Sequence, residues 1–247
     1  MLYYEEFGNA ENPTVVLLPG ADMAPTFALQ YPALIGKYHL VLVHILGTGK
    51  SSGRLWSLQE NMDGILEIIK ALGKNQVTLC GFSMGAQLTV ALVCKAPELF
   101  RKAVIVSAWL IKPPKETKRM VNLMEVIFPL GTWTHLLKKQ AKMLRLDEAQ
   151  TEEYIRAAKG SRRENIKRYS YDGVELAKLP EFADVKIPML ALCGEKEDRV
   201  MMVPSTKRLG EMNPHCRTMI LPNHAHDIPY KNPEEFTRIL LNFLEET

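Results

Sequence analysis

Apolar residues fall along this chain in two alternating rhythms. Short runs that are almost continuously apolar or β-branched occur at Thr14 to Pro19, His39 to Leu46, Gln76 to Phe82, Lys102 to Ala108, Pro188 to Cys193 and Arg217 to Leu221. Runs of this length with no polar face predict strands covered on both sides. Between several of them the spacing changes to three and four. Ser57 and Glu60 form a capping box ahead of Leu58, Met62, Ile65, Ile69 and Leu72, which share one helical face. Asn232 as N-cap, Pro233 and Glu235 open a last helix with Phe236, Ile239, Leu240, Phe243 and Leu244 on one side. The alternation predicts an α/β fold: a mostly parallel central sheet with helices on both faces.

From about Lys112 to Pro180 the strand rhythm stops, and helical segments are expected around Thr132 to Leu146, Glu148 to Lys159 and Arg163 to Tyr169. An insertion of this length between two sheet strands is more naturally helical than a loop. At 247 residues the chain is expected to form one domain, 1–247, carrying this insertion at about 112–180. Its apolar residues Met120, Leu123, Met124, Phe128, Trp133, Leu136 and Leu137 are expected to pack the helices onto the sheet, with an acyl pocket as the alternative. Trp109, where the strand meets the insertion, is the stronger pocket candidate. Between Lys112 and Arg168 there are 14 Lys or Arg against 7 Asp or Glu. A solvated helical surface is the simpler account, and a guide for acidic substrates the other.

Composition narrows the function classes. With 47% apolar and 24% charged residues the chain is globular, and a net charge of +3 is too small for a nucleic-acid binder. The N-terminus lacks the features of a leader, and no run of about 18 apolar residues occurs, so neither nucleic acid nor membrane is expected as a partner and the location expected is the cytoplasm. Nothing in the pattern specifies an oligomeric state. Cys80, Cys94, Cys193 and Cys216 are widely spaced, mostly inside apolar runs, and are expected to be buried thiols rather than disulfides or metal ligands.

The most informative segment is Gly81-Phe82-Ser83-Met84-Gly85, which joins an apolar strand to a helical pattern of Leu88, Ala91, Leu92 and Lys95. With 15 Gly and 8 Ser in 247 positions, chance supplies GxSxG about 0.03 times, and strand, sharp turn and helix are the context of a nucleophile elbow. Small residues on both sides of Ser83 let strand and helix approach, while the helix start directs N–H groups towards a developing oxyanion. Such a serine needs a base, and that base needs an orienting acid. Of six histidines, His226 sits in the loop between the last strand and the final helix, at the carboxyl edge of the sheet where ligands bind; His224 is its rival. His39, His135 and His215 are assigned to the surface. The acid is expected after the strand ending at Cys193, where Glu197 and Asp198 both qualify.

With these pieces in place the chain resembles the α/β-hydrolase superfamily, particularly small lid-bearing members built like bacterial esterases. The motifs follow the family's order: Leu18-Pro19-Gly20, the turn Leu46-Gly47-Thr48-Gly49-Lys50-Ser51, the elbow, the insertion, the loop Gly194 to Val200, and Asn223-His224-Ala225-His226-Asp227. The resemblance implies that Ser83 is the nucleophile, His226 the base, and the backbone N–H groups of Ala21 and Met84 the oxyanion hole, under a helical lid. The family usually has His-Gly at Pro19-Gly20 and often Asp at His44, which is taken as structural here. Its Gly-x-x-Asp places the acid, counted from Gly194, at Glu197, with Asp198 one residue further on.

The function expected is a serine hydrolase that cleaves an ester or thioester of a small, partly apolar carboxylic acid through an acyl-enzyme, with no metal and no organic cofactor. The same triad acting on an amide, a lactone or a C–C bond is one alternative. A ligand-binding or signalling protein on the same scaffold, without catalysis, is the other.

Overall fold

All six apolar runs form strands, and a seventh precedes them. In the computed structural model, which describes residues 2–21 and 24–246, the strands are β1 (Tyr3–Phe7), β2 (Thr14–Leu18), β3 (His39–His44), β4 (Val77–Phe82), β5 (Phe100–Val106), β6 (Met189–Gly194) and β7 (Cys216–Leu221). They form one sheet in the order β1-β3-β2-β4-β5-β6-β7, with every neighbouring pair parallel except β1 and β3. Every residue of β2, β3, β4 and β6 is buried, which is why their sequences show no polar alternation. Alternate side chains enter two separate cores, Val16 and Leu18 on one face and Val15 and Leu17 on the other.

β1 escapes the pattern because it is an edge strand with charges in its middle. Glu5 meets the ring of His44 at 3.0 Å and Glu6 that of His39 at 2.8 Å, so two buried imidazoles are held by carboxylates from the edge. Burial lowers the pKa of His44, against the pull of Glu5. His39 therefore does not sit on the surface, where the sequence placed it, whereas the structural role expected for His44 matches these contacts; His135 and His215 are exposed.

The helices are α1 (Tyr31–Leu34), α2 (Leu58–Ala71), α3 (Met84–Lys95), α4 (Pro114–Gly131), α5 (Thr134–Met143), α6 (Glu148–Gly160), α7 (Glu164–Tyr171), α8 (Met202–Met212), α9 (Ile228–Lys231) and α10 (Pro233–Glu245). Ser57 caps α2, accepting from the Glu60 N–H at 3.3 Å, which is one half of the capping box expected from sequence. At α10 the Asn232 side chain bonds to the Glu235 carboxylate at 2.9 Å and not to a backbone N–H. Four helices, α4 to α7, lie between β5 and β6, and the longest of them, α4, begins well before the helical stretch read from sequence.

β5 starts two residues ahead of its apolar run, at Phe100, which is buried and pairs with Val77 of β4, and the Lys102 within it is only 5% exposed. Its ammonium donates to the carbonyls of Phe243, at 2.8 Å, of Leu244, at 3.1 Å, and of Glu246, closing the end of α10 with charge of the favourable sign. Lys102→Ala should therefore lower unfolding free energy by about 1–3 kcal/mol in urea titration, the cost of stranding buried acceptors. Arg101→Ala, on the exposed neighbour, should change it by less than about 0.5 kcal/mol.

The order of strands reverses direction between β2 and β4. At such a switch point the loops after the two strands part and leave a crevice at the carboxyl edge. Pro19 to Ala21 follow β2 there, and Ser83 follows β4.

Candidate active site

Ser83 stands between β4 and α3 with φ 54° and ψ −111°, a left-handed backbone that a non-glycine residue adopts only under constraint. The glycines around it show what enforces this. A Cβ on Gly81 would lie 2.3 Å from the Gly85 carbonyl oxygen, and one on Gly85 would lie 2.0 Å from that of Leu18. Strand and helix thus cross at a separation only glycine allows. The Gly85 N–H donates to the Pro19 carbonyl at 3.1 Å, which ties the loop after β2 to the first turn of α3.

Three loops far apart in sequence then converge. His226 Nε2 lies 2.9 Å from Ser83 Oγ, and His226 Nδ1 lies 2.5 Å from Glu197 Oε1. An ionised carboxylate can only accept, so Nδ1 carries the ring proton and Nε2 is left to accept from the Ser83 hydroxyl. The ring of Phe82 lies against the imidazole, with centroids 4.7 Å apart. The exposures grade in the useful direction: the Glu197 side chain is 1% exposed and that of His226 39%.

Of the two carboxylates that the sequence leaves open, the structure brings Glu197 to the imidazole and leaves Asp198 exposed. The short 3-10 turn Glu195–Val200 decides this, because consecutive side chains on it point about 120° apart. The second oxygen of Glu197 accepts from the Gly194 N–H at 2.6 Å and from the Ser107 hydroxyl at 2.8 Å, so the buried charge has three donors. His224, the rival base, is buried; its Nδ1 bonds to the Pro222 carbonyl at 3.0 Å, and its Nε2 lies 3.7 Å from Glu235.

Ser107 is the residue that sequence reasoning missed. It follows β5 with φ 55°, is fully buried, and its N–H donates to the Leu192 carbonyl at 2.7 Å while its hydroxyl holds Glu197. The available signal was a single hydroxyl at the carboxyl end of an apolar strand next to β4. Ser107→Ala removes one of three donors without touching serine or imidazole. Its expected effect is a roughly tenfold fall in kcat with KM changed less than about twofold, measured on a soluble ester.

Ala21 and Met84 line one small cavity of ≈ 10 Å³, about the least that admits a single water. Its roof is Phe128 from α4 and Arg162, Asn165, Ile166 and Tyr169 from the later part of the insertion. Asn165 is the tether: its side-chain oxygen accepts from the Trp56 N–H at 2.7 Å and its amide donates to the Arg54 carbonyl at 3.0 Å. A larger cavity of ≈ 540 Å³ lies between α4, α5, α6 and α7, walled by Met124, Phe128, Leu137, Tyr154, Ile166 and Tyr169, and it shares Phe128, Ile166 and Tyr169 with the first.

The expected packing of the insertion needs correction on two residues. Leu123 is 60% exposed and Trp133 61%, so neither packs onto the sheet. Met124, Phe128, Leu136 and Leu137 line the larger cavity, and Leu137 also joins the core on one face of the sheet. Trp109 is buried but belongs to the walls of neither cavity; Lys112 Nζ lies 5.3 Å from its ring centroid. Burial brings the Lys112 pKa down to about 8. The cysteines are free and burial raises their pKa values, to about 12 for Cys94 and Cys216 and about 11 for Cys193. Among the described residues no group of three or more His, Cys, Asp or Glu is placed to hold a metal ion.

A doubly wound sheet with a strained serine after its central strand defines a class of hydrolytic enzymes. The model of the alpha/beta hydrolase family matches residues 15–239, and the chain belongs to that family. Over 98% of its length it is 25% identical to a protein of Caulobacter sp. (strain K31) named "Putative carbamate hydrolase RutD", covering 95% of that protein. It is 24% identical to 2-hydroxy-6-oxononadienedioate/2-hydroxy-6-oxononatrienedioate hydrolase 1 of Dechloromonas aromatica (strain RCB), with 98% of this chain and 90% of that one covered. Among solved structures, the crystal structure of a bacterial membrane phospholipase A superimposes with a TM-score of 0.79 at 20% identity, over 98% of this chain and 81% of that one, which is a likeness of fold.

Proposed function

We propose that this chain is a serine hydrolase that cleaves an ester or thioester of a small, partly apolar carboxylic acid through an acyl-enzyme. The observation that carries the proposal is the unbroken run of contacts from Ser83 through His226 to Glu197. Ser83 Oγ attacks the acyl carbon while His226 Nε2 takes its proton, and Glu197 stabilises the imidazolium that results. The carbonyl oxygen becomes an oxyanion facing the N–H groups of Ala21 and Met84, the latter at the positive end of α3. Collapse breaks the bond to the alkoxide or thiolate, which leaves with the proton from His226. Water then attacks the acyl-serine by the same route, releasing the acid and restoring Ser83.

The apolar walls of the larger cavity support an apolar acyl group, and the helices α4 to α7 act as a lid over the site within a single domain. Because the cavity beside Ala21 and Met84 is so small, substrate entry requires Phe128, Ile166 or Tyr169 to move. The relative named as a putative carbamate hydrolase favours a second bond type on the same triad, a carbamate, beside the amide, lactone or C–C bond that the triad could also cleave. Activity profiling across acyl chain lengths and across ester, thioester, carbamate, amide, lactone and C–C substrates tests the choice; strongest turnover outside the esters and thioesters would replace it. A binder without catalysis is tested by a fluorophosphonate probe, which the folded native chain should take up at Ser83 and a binder should refuse.

A further inference from the structure

Large apolar side chains left in solvent concentrate on one helix. Leu123, Val126, Ile127 and Leu130 of α4 are 60%, 74%, 45% and 42% exposed, and their spacing of three, one and three places them on one face. Trp133, at the start of α5, extends the patch. The opposite face of α4, with Val121, Met124 and Phe128, packs inward, and Ile127 and Leu130 border the larger cavity at its rim, while Leu123, Val126 and Trp133 line no cavity and lie open to solvent.

The charges on α4 and α5 are mostly of one sign. Lys115, Lys118 and Arg119 lie on the first turns of α4 and Lys138, Lys139 and Lys142 on α5; all six are exposed, and none forms an ion pair among the described residues. Of the two acidic residues on α4, Glu125 is already paired, with Lys167 at 3.1 Å, which leaves Glu116. Aliphatic side chains, one exposed indole and surrounding ammonium groups are what the headgroup boundary of an anionic bilayer accepts. A second copy of this chain suits the patch poorly, because a two-fold contact would set the same cations against one another.

We propose that the exposed face of α4, with Trp133 and the cations of α4 and α5, docks this protein on the surface of an anionic lipid bilayer. The contact is peripheral: no helix among the described residues is long and apolar enough to cross a membrane. It departs from the sequence-based expectation of no membrane partner, which rested on the lack of a spanning segment. The residues that test it, Leu123, Val126 and Trp133, stand apart from the catalytic proposal, since they include neither Ser83 nor a wall of either cavity.

Full-length protein is mixed with vesicles of phosphatidylcholine, alone or doped with phosphatidylglycerol, and binding is followed by co-sedimentation and tryptophan emission. Trp56 and Trp109 are 1% and 7% exposed, so a blue shift on binding reports Trp133 and should vanish in Trp133→Phe. Binding to the doped vesicles should be at least about tenfold tighter than to pure phosphatidylcholine, and should weaken in high salt. The double variant Leu123→Ser with Val126→Ser should partition at least about tenfold more weakly, with circular dichroism, melting and turnover of a soluble ester unchanged. The proposal is overturned if the native chain ignores doped vesicles, if both lipids bind it equally, or if the double variant binds as well as the native chain. It is also overturned if sedimentation without lipid shows a dimer that buries Trp133.

Discussion

Replacing Ser83 by alanine is expected to lower kcat/KM for an aryl ester by on the order of 10⁵-fold, about 7 kcal/mol of transition-state stabilisation. The loss should appear in kcat, because the substitution removes the attacking atom while the small cavity at Ala21 and Met84 and its apolar neighbour remain. Any activity left should come from those features alone and should show no burst of acyl-enzyme. The fold should be retained: the hydroxyl bonds to His226 Nε2 at the surface of the site, and the backbone strain at φ 54° is the same for alanine. Steady-state kinetics with active-site titration measures the loss. A variant as fast as the native chain would remove Ser83 from the reaction.

Glu197→Gln should cost about 10³–10⁴-fold in kcat, while Asp198→Asn should stay within about twofold. The contrast follows from what an amide can and cannot do. Its oxygen can still accept from Gly194 N–H or from Ser107, but with an N–H turned towards His226 Nδ1 the ring must move its proton to Nε2. The imidazole then presents a donor to Ser83 and cannot take its proton, and no carboxylate balances the imidazolium. Asp198 is exposed, so neutralising it changes little at the ring. Equal losses from the two variants would mean that the acid is shared or reassigned during turnover.

How much of this could be read without coordinates differs by element, and the reasons are physical. The buried strands were legible because both faces of each are apolar, a pattern that short elements show only inside a sheet. β1 was not, because its stability comes from pairing Glu5 and Glu6 with histidines far along the chain, His44 and His39, which leaves no local signal. α4 was hidden by the opposite effect. With Val121, Met124 and Phe128 on one side and Leu123, Val126, Ile127 and Leu130 on the other, its apolar positions blur into no single stripe, and Pro129 near its end reads as a break.

The candidate site divides in the same way. Ser83 was marked by its glycines, whose need is steric and therefore written in residue type. His226 was marked by its position at the end of the last strand. The choice between Glu197 and Asp198 turns on rotation within one short helical turn, which two adjacent carboxylates cannot express in sequence. Ser107 was silent because its value lies in a bond across 90 residues to an acid not yet identified.

The bond between Ser83 and His226 spans 143 residues, and Lys102 reaches across another 141 to the closing helix. Translation delivers the Ser83 hydroxyl 143 residues ahead of the His226 imidazole, so under the proposed mechanism a nascent chain is inert until β7 has slotted in beside β6 and α10 has locked against β5. Turnover by the proposed triad would then report completed folding: during refolding from denaturant, activity should return after the far-ultraviolet signal of the helices, by the interval that β7 needs to dock.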